Sequence, residues 1–283
     1  MQELALDQGT IRYRESGSGE PILFVHGLLV DGELWRDVAP ALARDARVIV
    51  PDWPLGSQEL PLRPGADLSP PGLADLIADF IEALDLNNVT LVGNDTGGGL
   101  CQLVVTRRPG RISRLVLTPS DAFEHFPPPA FKPLKALGYI PGAVTVMARI
   151  MSPAPARRSP LAYGWLSKRA DDALTASWVR SVQSDPEIRR QVAEILKGLS
   201  PRYTLAAAER FGDFTGPVMI AWAKKDRFFK VSNAQRLAQA FPNARLELID
   251  DSYTFVSLDQ PERLAELIGE LVRAPLPAPV STA

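Results

Sequence analysis

The apolar positions along the chain fall into two recurring patterns. The first is a short unbroken run that closes on a turn-forming residue. Pro21-Ile22-Leu23-Phe24-Val25 precedes His26-Gly27, and Arg47-Val48-Ile49-Val50 precedes Pro51-Asp52. Val89-Thr90-Leu91-Val92 precedes Gly93, and Leu115-Val116-Leu117 precedes Thr118-Pro119. Val218 to Trp222 and Leu246 to Ile249 repeat the pattern. Runs that do not alternate fit strands buried on both faces, as in a parallel sheet. Thr10 to Glu15 alternates instead and reads as an edge strand. The second pattern has a spacing of three and four. Leu73, Leu76, Ile77, Phe80 and Leu84 share one helical face, as do Leu264, Leu267, Ile268 and Leu271, with Pro261 placed to open that helix. Strand–helix alternation predicts right-handed crossovers and an α/β fold with a doubly wound, mostly parallel sheet.

The alternation breaks between Ser120 and about Arg210. Residues 121–210 are proline-rich at first and then helical, with Asp185 as a cap and Pro186 at the first helical position before Ile188, Val192, Ile195 and Leu196. The chain therefore divides into a first core segment (1–120), a mainly helical lid (121–210), a second core segment (211–273) and a Pro/Ala/Ser-rich tail (274–283) expected to be disordered. An insert placed where strands end is suited to roof an active site.

Composition narrows the function. With 46% hydrophobic and 23% charged residues, the chain has the apolar content for a core, which excludes a disordered protein. Thirty-one basic residues against 33 acidic ones give a net charge of −2, which offers no footprint for nucleic acid. The single cysteine, Cys101, excludes an intramolecular disulfide and a cysteine-based zinc site. The only histidines, His26 and His125, have no metal-ligand spacing, so no metal or organic cofactor is expected. No apolar stretch approaches the roughly 18 residues of a membrane span, and Met1 to Glu15 lacks a secretory core. The expectation is a cytoplasmic monomer or homodimer whose partner is a small-molecule substrate, with no membrane or nucleic acid involved.

The sharpest chemical signal is Leu91-Val92-Gly93-Asn94-Asp95-Thr96-Gly97-Gly98-Gly99, which follows a strand and opens an apolar helix. This is the context of a nucleophile elbow, G-x-Nuc-x-G. Glycines at 93 and 97 permit a tight turn that lifts residue 95 above the sheet, beside the N–H groups of a helix N-terminus. The spacing matches neither a dinucleotide fingerprint nor a Walker loop. Two further signals are His26-Gly27 at a strand end and Asp226 after the strand ending at Ala223.

With these residues in place, the sequence resembles the α/β-hydrolase family over nearly its whole length. The resemblance rests on the His26-Gly27 oxyanion turn, Asp52 with Gly56-Ser57, the elbow at 93–97, the lid insert, Asp226 at the acid position and the Asp259-Gln260-Pro261-Glu262-Arg263 helix opening. It implies an α/β-hydrolase sheet with a lid. Aspartate in the elbow resembles the haloalkane dehalogenase and epoxide hydrolase branch. There a carboxylate attacks carbon to form an ester, and a histidine activates the water that hydrolyses it. By that resemblance Asp95 is the nucleophile, and backbone N–H groups of Leu28 and Thr96 form the oxyanion hole. His26 supports that turn, and Asp226 is the acid.

The departures matter as much. Where the family keeps its catalytic histidine, this chain reads Asp250-Asp251-Ser252-Tyr253-Thr254-Phe255, with Thr254 at the expected position. Threonine is no general base near neutral pH, and a tyrosine of ordinary pKa (about 10) is a poor one. His125 stands near the lid entrance as a substitute candidate, and Asp121 stands where some members keep an alternative acid. The halide-holding Trp and Asn of dehalogenases are replaced by Thr96 and Leu28. Lid tyrosines 139, 163 and 203 offer proton donors for an epoxide. Tyr253 and Trp165 join the substrate-binding candidates, and Trp178, Met147 and Met151 could line an apolar pocket.

Three functions follow. The first is a hydrolase-type enzyme, acting on an epoxide, halide or ester through Asp95 with a triad lacking histidine. The second is a lyase, isomerase or cyclase using Asp95 as acid and base. The third is an inactive ligand-binding member of the family.

Overall fold

The computed structural model describes residues 1–276. Two antiparallel strands, β1 (Gln2–Leu6) and β2 (Gly9–Ser16), lead into six parallel ones. These are β3 (Pro21–Val25), β4 (Arg47–Asp52), β5 (Val89–Asp95), β6 (Ile112–Ser120), β7 (Val218–Ala223) and β8 (Ala244–Ile249). Every residue of β3 and β7 is buried, the condition that an unbroken apolar run satisfies. The strand order is β1-β2-β4-β3-β5-β6-β7-β8. The expected edge strand is therefore not at the edge. β1, whose Gln2-Glu3-Leu4-Ala5-Leu6 is too polar and short to stand out, pairs along the outer side of β2.

The order places β3 between β4 and β5, so the direction of strand addition reverses there. Crevices at such reversals, outside the carboxyl ends of strands, are where open α/β sheets place their sites. His26-Gly27 leaves β3, Asp95 ends β5, Asp121 follows β6 and Asp226 follows β7.

Helices cover both faces. α1 (Pro70–Ala83) starts on Ser69, whose Oγ accepts from the Gly72 N–H at 3.3 Å. Its Phe80 is fully buried, 5.4 Å from the Tyr13 ring and 5.2 Å from the Trp53 ring. Burying such a side chain contributes roughly 1.5–3 kcal/mol. α2 (Thr96–Arg107) follows β5 without a linker and is buried over nearly its whole length.

The insert after β6 carries α3 (Ala143–Ile150), α4 (Asp172–Ser184), α5 (Pro186–Gly198) and α6 (Pro201–Ala208). Asp185 caps α5 as its sequence predicts, accepting from Glu187 N at 2.7 Å and Ile188 N at 3.2 Å. Specific polar contacts bolt the insert to the core. Buried Trp178 donates through Nε1 to Asp31 Oδ1 at 2.9 Å, and its carbonyl accepts from the Ser57 hydroxyl at 2.6 Å. Gln191 makes two bonds to the backbone of Leu62. Within the insert, the Thr204 hydroxyl donates to the Phe123 carbonyl. After β7, α7 (Val231–Ala240) and α8 (Pro261–Arg273) complete the fold. α8 opens at Pro261 and buries Leu264, Leu267 and Ile268, the face that its spacing predicts. The tail expected to be disordered lies outside the described residues from position 277 onward. Among the described residues no helix is long and apolar enough to cross a membrane.

Candidate active site

β5 ends and α2 begins at Asp95 with no loop between them. The turn holds Asp95 at φ 52° and ψ −129°, a conformation that side-chain-bearing residues avoid. Such a conformation costs about 1–3 kcal/mol and persists only where its surroundings enforce it. Small neighbours make it feasible here. A Cβ on Gly97 would lie 2.3 Å from the His26 carbonyl oxygen, and one on Gly98 would lie 2.3 Å from Ser120 Cβ. A Cβ on Gly27 would lie 2.2 Å from Asp95 Oδ2. The turn at Gly27 is thus pared back to admit this carboxyl.

The backbone N–H groups of Leu28 and Thr96 face the Asp95 carboxylate. Burial outweighs those donors, and the charge of Asp226 adds to it, so the Asp95 carboxyl is pushed up to about 7. Asp95 opens into a cavity of about 140 Å³. Leu28, Thr96 and Asp121 share its core side, and Met147, Met151 and Tyr163 belong to its lid side. The wall is predominantly apolar and, among the described residues, carries no Lys, Arg, His, Trp or Asn.

Behind this cavity, Asp226 is fixed by three donors. Its Oδ1 accepts from Phe228 N at 2.7 Å and Phe229 N at 2.6 Å, and its Oδ2 accepts from the Thr254 hydroxyl at 2.9 Å. Burial raises its carboxyl to about 6 against those bonds. Thr254 is fully buried against Asp226. Its carbonyl accepts from Asn94 Nδ2 at 2.9 Å, and the same amide donates to Thr118 Oγ1 at 2.8 Å and the Pro119 carbonyl at 3.2 Å. Asn94 therefore ties the ends of β5 and β6 to the Thr254 loop.

Sequence reading places Asn94 and Asp259 within motifs but assigns neither of them a role. Fully buried Asp259 accepts from the Ser167 hydroxyl at 2.7 Å and Lys168 N at 2.8 Å through Oδ1, and from Tyr253 N at 2.9 Å through Oδ2. It clasps the lid's return segment to the loop that carries Thr254. The local signals were Asn94 beside Asp95 at the end of an apolar strand and Asp259 at the opening of the last helix, and neither reveals the distant partner.

His26 is locked by both ring nitrogens. Nδ1–H donates to the Gly27 carbonyl at 2.9 Å, and Nε2 accepts from Trp53 N at 2.8 Å. Burial lowers its pKa to about 4, so it is a neutral bracket for the Gly27-Leu28 turn with no nitrogen left for proton transfer. His125 does not line the cavity; its Nδ1 accepts from the Asn233 amide at 3.0 Å, beside Glu124. Trp165 is 41% exposed with Arg227 stacked 5.5 Å from its ring. Tyr253 lies between Lys168 and Arg227 and accepts from Arg227 Nη2 at 3.0 Å. Neither Trp165 nor Tyr253 lines the cavity. Of the lid tyrosines only Tyr163 does, and its hydroxyl donates to the Leu29 carbonyl at 2.6 Å. Tyr139 is exposed, and Tyr203 contacts Arg202. Trp178 packs behind Tyr163, 5.1 Å from its ring, and away from the cavity wall. Among the described residues no group of three or more His, Cys, Asp or Glu is arranged to hold a metal.

Comparison with known proteins gives a consistent lineage. The profile of the alpha/beta hydrolase fold family matches residues 20–261. The chain is 29% identical to haloalkane dehalogenase 2 of Mycobacterium tuberculosis over 277 residues, covering 93% of this chain and 91% of that protein. It is 24% identical to a 2-hydroxy-6-oxononadienedioate/2-hydroxy-6-oxononatrienedioate hydrolase of Dechloromonas aromatica, covering 85% of this chain and 82% of that one. Among solved structures, a thermophilic esterase from Thermogutta terrifontis superposes with a TM-score of 0.73 at 19% identity, over 96% of this chain and 98% of the esterase.

Proposed function

The chain belongs to the α/β-hydrolase fold family and is an enzyme of that fold, and we propose that it acts on a small, largely apolar electrophile through Asp95 as nucleophile. The observation that carries this reading is the placement of Asp95. It is a carboxylate held in a strained turn, facing the N–H groups of Leu28 and Thr96 and opening into an apolar cavity. One carboxylate oxygen attacks a carbon, and an ester forms. The other becomes the ester carbonyl, whose oxygen those two N–H groups polarise. The cavity is smaller than the roughly 300–1,000 Å³ of pockets for drug-sized ligands, which favours a small substrate. A wall without Trp or Asn lacks the N–H donors that would hold a departing halide, which favours an oxygen leaving group such as an epoxide or ester.

The missing histidine bears on the second half-reaction. General-base help is typically worth about 10²–10⁴ in rate, and Thr254 cannot supply it. Release of the covalent ester then depends on another group of the site taking the proton of water. A second reading has one observation in its favour. A carboxyl with a pKa of about 7 is poised for general acid–base work at neutral pH, which suits a lyase, isomerase or cyclase. The discriminating experiment is intact-protein mass after incubation with small epoxides, alkyl halides and activated esters, with Asp95→Asn in parallel. An adduct on the native protein that is absent from the variant supports the nucleophile. Product without any adduct, together with solvent-proton exchange into a carbon acid, supports the second reading.

A further inference from the structure

A second carboxyl on the cavity wall, Asp121, has no part in the reading above. It is 1% exposed, lines the same cavity as Asp95, and its Oδ1 is buried without a protein hydrogen-bond partner. Its position is fixed from both sides. Its N–H donates to the Asp95 carbonyl at 3.3 Å, and its carbonyl accepts from Gln102 Nε2 at 2.7 Å. Gly99 leaves the room it needs, since a Cβ there would lie 3.2 Å from Asp121 Cβ. The groups facing its carboxyl are the Thr96 side chain and the Asp95 carboxylate, and no basic residue lines the cavity among those described. A buried carboxyl beside a second carboxylate and without a counter-charge keeps its proton. Burial and the Asp95 charge hold it well above the ordinary carboxylate range. The other candidate donor on the wall, Tyr163, has already committed its hydroxyl proton to the Leu29 carbonyl.

We infer that Asp121 is a catalytic residue that first gives and then takes the proton of the reaction, in place of the absent histidine, and that the substrate is an oxygen electrophile. The inference rests on Asp95 being the nucleophile. With an epoxide, an Asp95 oxygen bonds to carbon as the ring C–O bond breaks. The electron pair of that bond goes to the ring oxygen, and the Asp121 proton follows it. The result is a hydroxyalkyl ester of Asp95 and an ionised Asp121. Water then adds to the ester carbonyl carbon and gives a proton to Asp121. Collapse of the tetrahedral species expels the alkoxide, which takes the remaining acid proton from Asp95. Both carboxyls return to their starting states, and the net change is addition of one water. An alkyl halide needs no proton in its first step, because halide leaves as an anion.

The test compares two probes, epoxybutane and bromobutane, by the rate of mass-detected adduct formation on the native protein and on Asp121→Asn. The expected result is a loss of about 10²–10⁴-fold for the epoxide with labelling by the bromide retained, which also reports an intact site in the variant. Equal labelling of both proteins by the epoxide, or parallel loss of both probes, overturns the inference. No labelling of the native protein by either probe removes the Asp95 reading, and the role of Asp121 falls with it. If Asp121→Asn does not fold, infrared spectra of the native protein at pH 8, where Asp95 is largely ionised, decide. A neutral carboxylic acid band is expected there, and its absence overturns the assignment.

Discussion

The Thr254 hydroxyl donates a 2.9 Å hydrogen bond to Oδ2 of Asp226, closing the acid's free oxygen with a side chain that cannot act as a base. Asp226 is otherwise held by the N–H groups of Phe228 and Phe229, which fixes its Oδ2 toward residue 254. Thr254→His should supply a base at that position. Release of the covalent ester is expected to accelerate beyond what Asp121 alone supports, by up to about 10²–10⁴-fold, read as loss of any accumulated adduct and gain of product. Because Thr254 is fully buried, the melting temperature is followed in parallel. Thr254→Val, of similar shape, leaves Asp226 Oδ2 without its donor, and a loss of about 1–3 kcal/mol is expected on chemical denaturation.

Alkylation of Asp95 should follow its ionisation. Its folded-state pKa is raised to about 7, so the reactive carboxylate is scarce at pH 5 and dominant at pH 8. The labelling rate is expected to rise through neutrality and then level off. A rate constant between pH 5 and 8 would mean that the reacting group is not this carboxyl.

The same shift has a sign for stability. A carboxyl whose folded pKa exceeds its unfolded value of about 3.9 binds more protons in the native state between those limits. Ionised Asp95 therefore destabilises the fold as pH rises from about 4 to above 7. Asp95→Asn is expected to stabilise the protein by about 2 kcal/mol at pH 8, allowing for partial solvent screening, and by much less at pH 5. Melting curves of both proteins at the two pH values check this.

Gly27 is required by the Asp95 side chain and not by its own backbone. Its added Cβ would meet the Asp95 side chain at 2.2 Å. Gly27→Ala is expected to lower adduct formation by more than about 10²-fold, as misplacement of a reacting group by about 1 Å does. Circular dichroism should remain native.

Asp259 should couple the lid to the site. It accepts from Ser167, Lys168 and Tyr253, so one carboxylate joins the lid's return segment to the Thr254 loop. Asp259→Ala leaves those buried donors unpaired, at a cost of about 1–3 kcal/mol for each that finds no water. Hydrogen exchange should rise in both segments together.

How much of this was legible in the sequence depended on whether the cause was local. The elbow was legible because a turn that admits Asp95 needs small residues at fixed offsets, and Gly93, Gly97 and Gly98 supply them. The buried strands β3, β5 and β7 were legible because burial on both faces leaves no alternation. Leu246 to Ile249 shows the same pattern, yet β8 stands at the end of the sheet with Leu248 exposed, so that expectation of burial on both faces was wrong. β1 was not legible, since its pairing with β2 and not its composition makes it a strand. The side-chain roles diverged for the same reason. Tyr163 and Tyr253 look alike along the chain, yet one lines the cavity and the other sits between Lys168 and Arg227. The Asp259 clasp spans 92 residues to Ser167 and exists only once the lid has docked.

The origin of the oxygen in the product tests the central claim most directly. A single turnover of epoxybutane by excess enzyme in heavy-oxygen water separates the two chemistries. If Asp95 is the nucleophile, the diol carries the ordinary oxygen of its carboxyl. The heavy atom then appears in the peptide containing Asp95, because water attacks the ester carbonyl. Heavy oxygen in the diol with an unlabelled Asp95 would mean that water attacks the substrate directly, and the covalent account would be wrong.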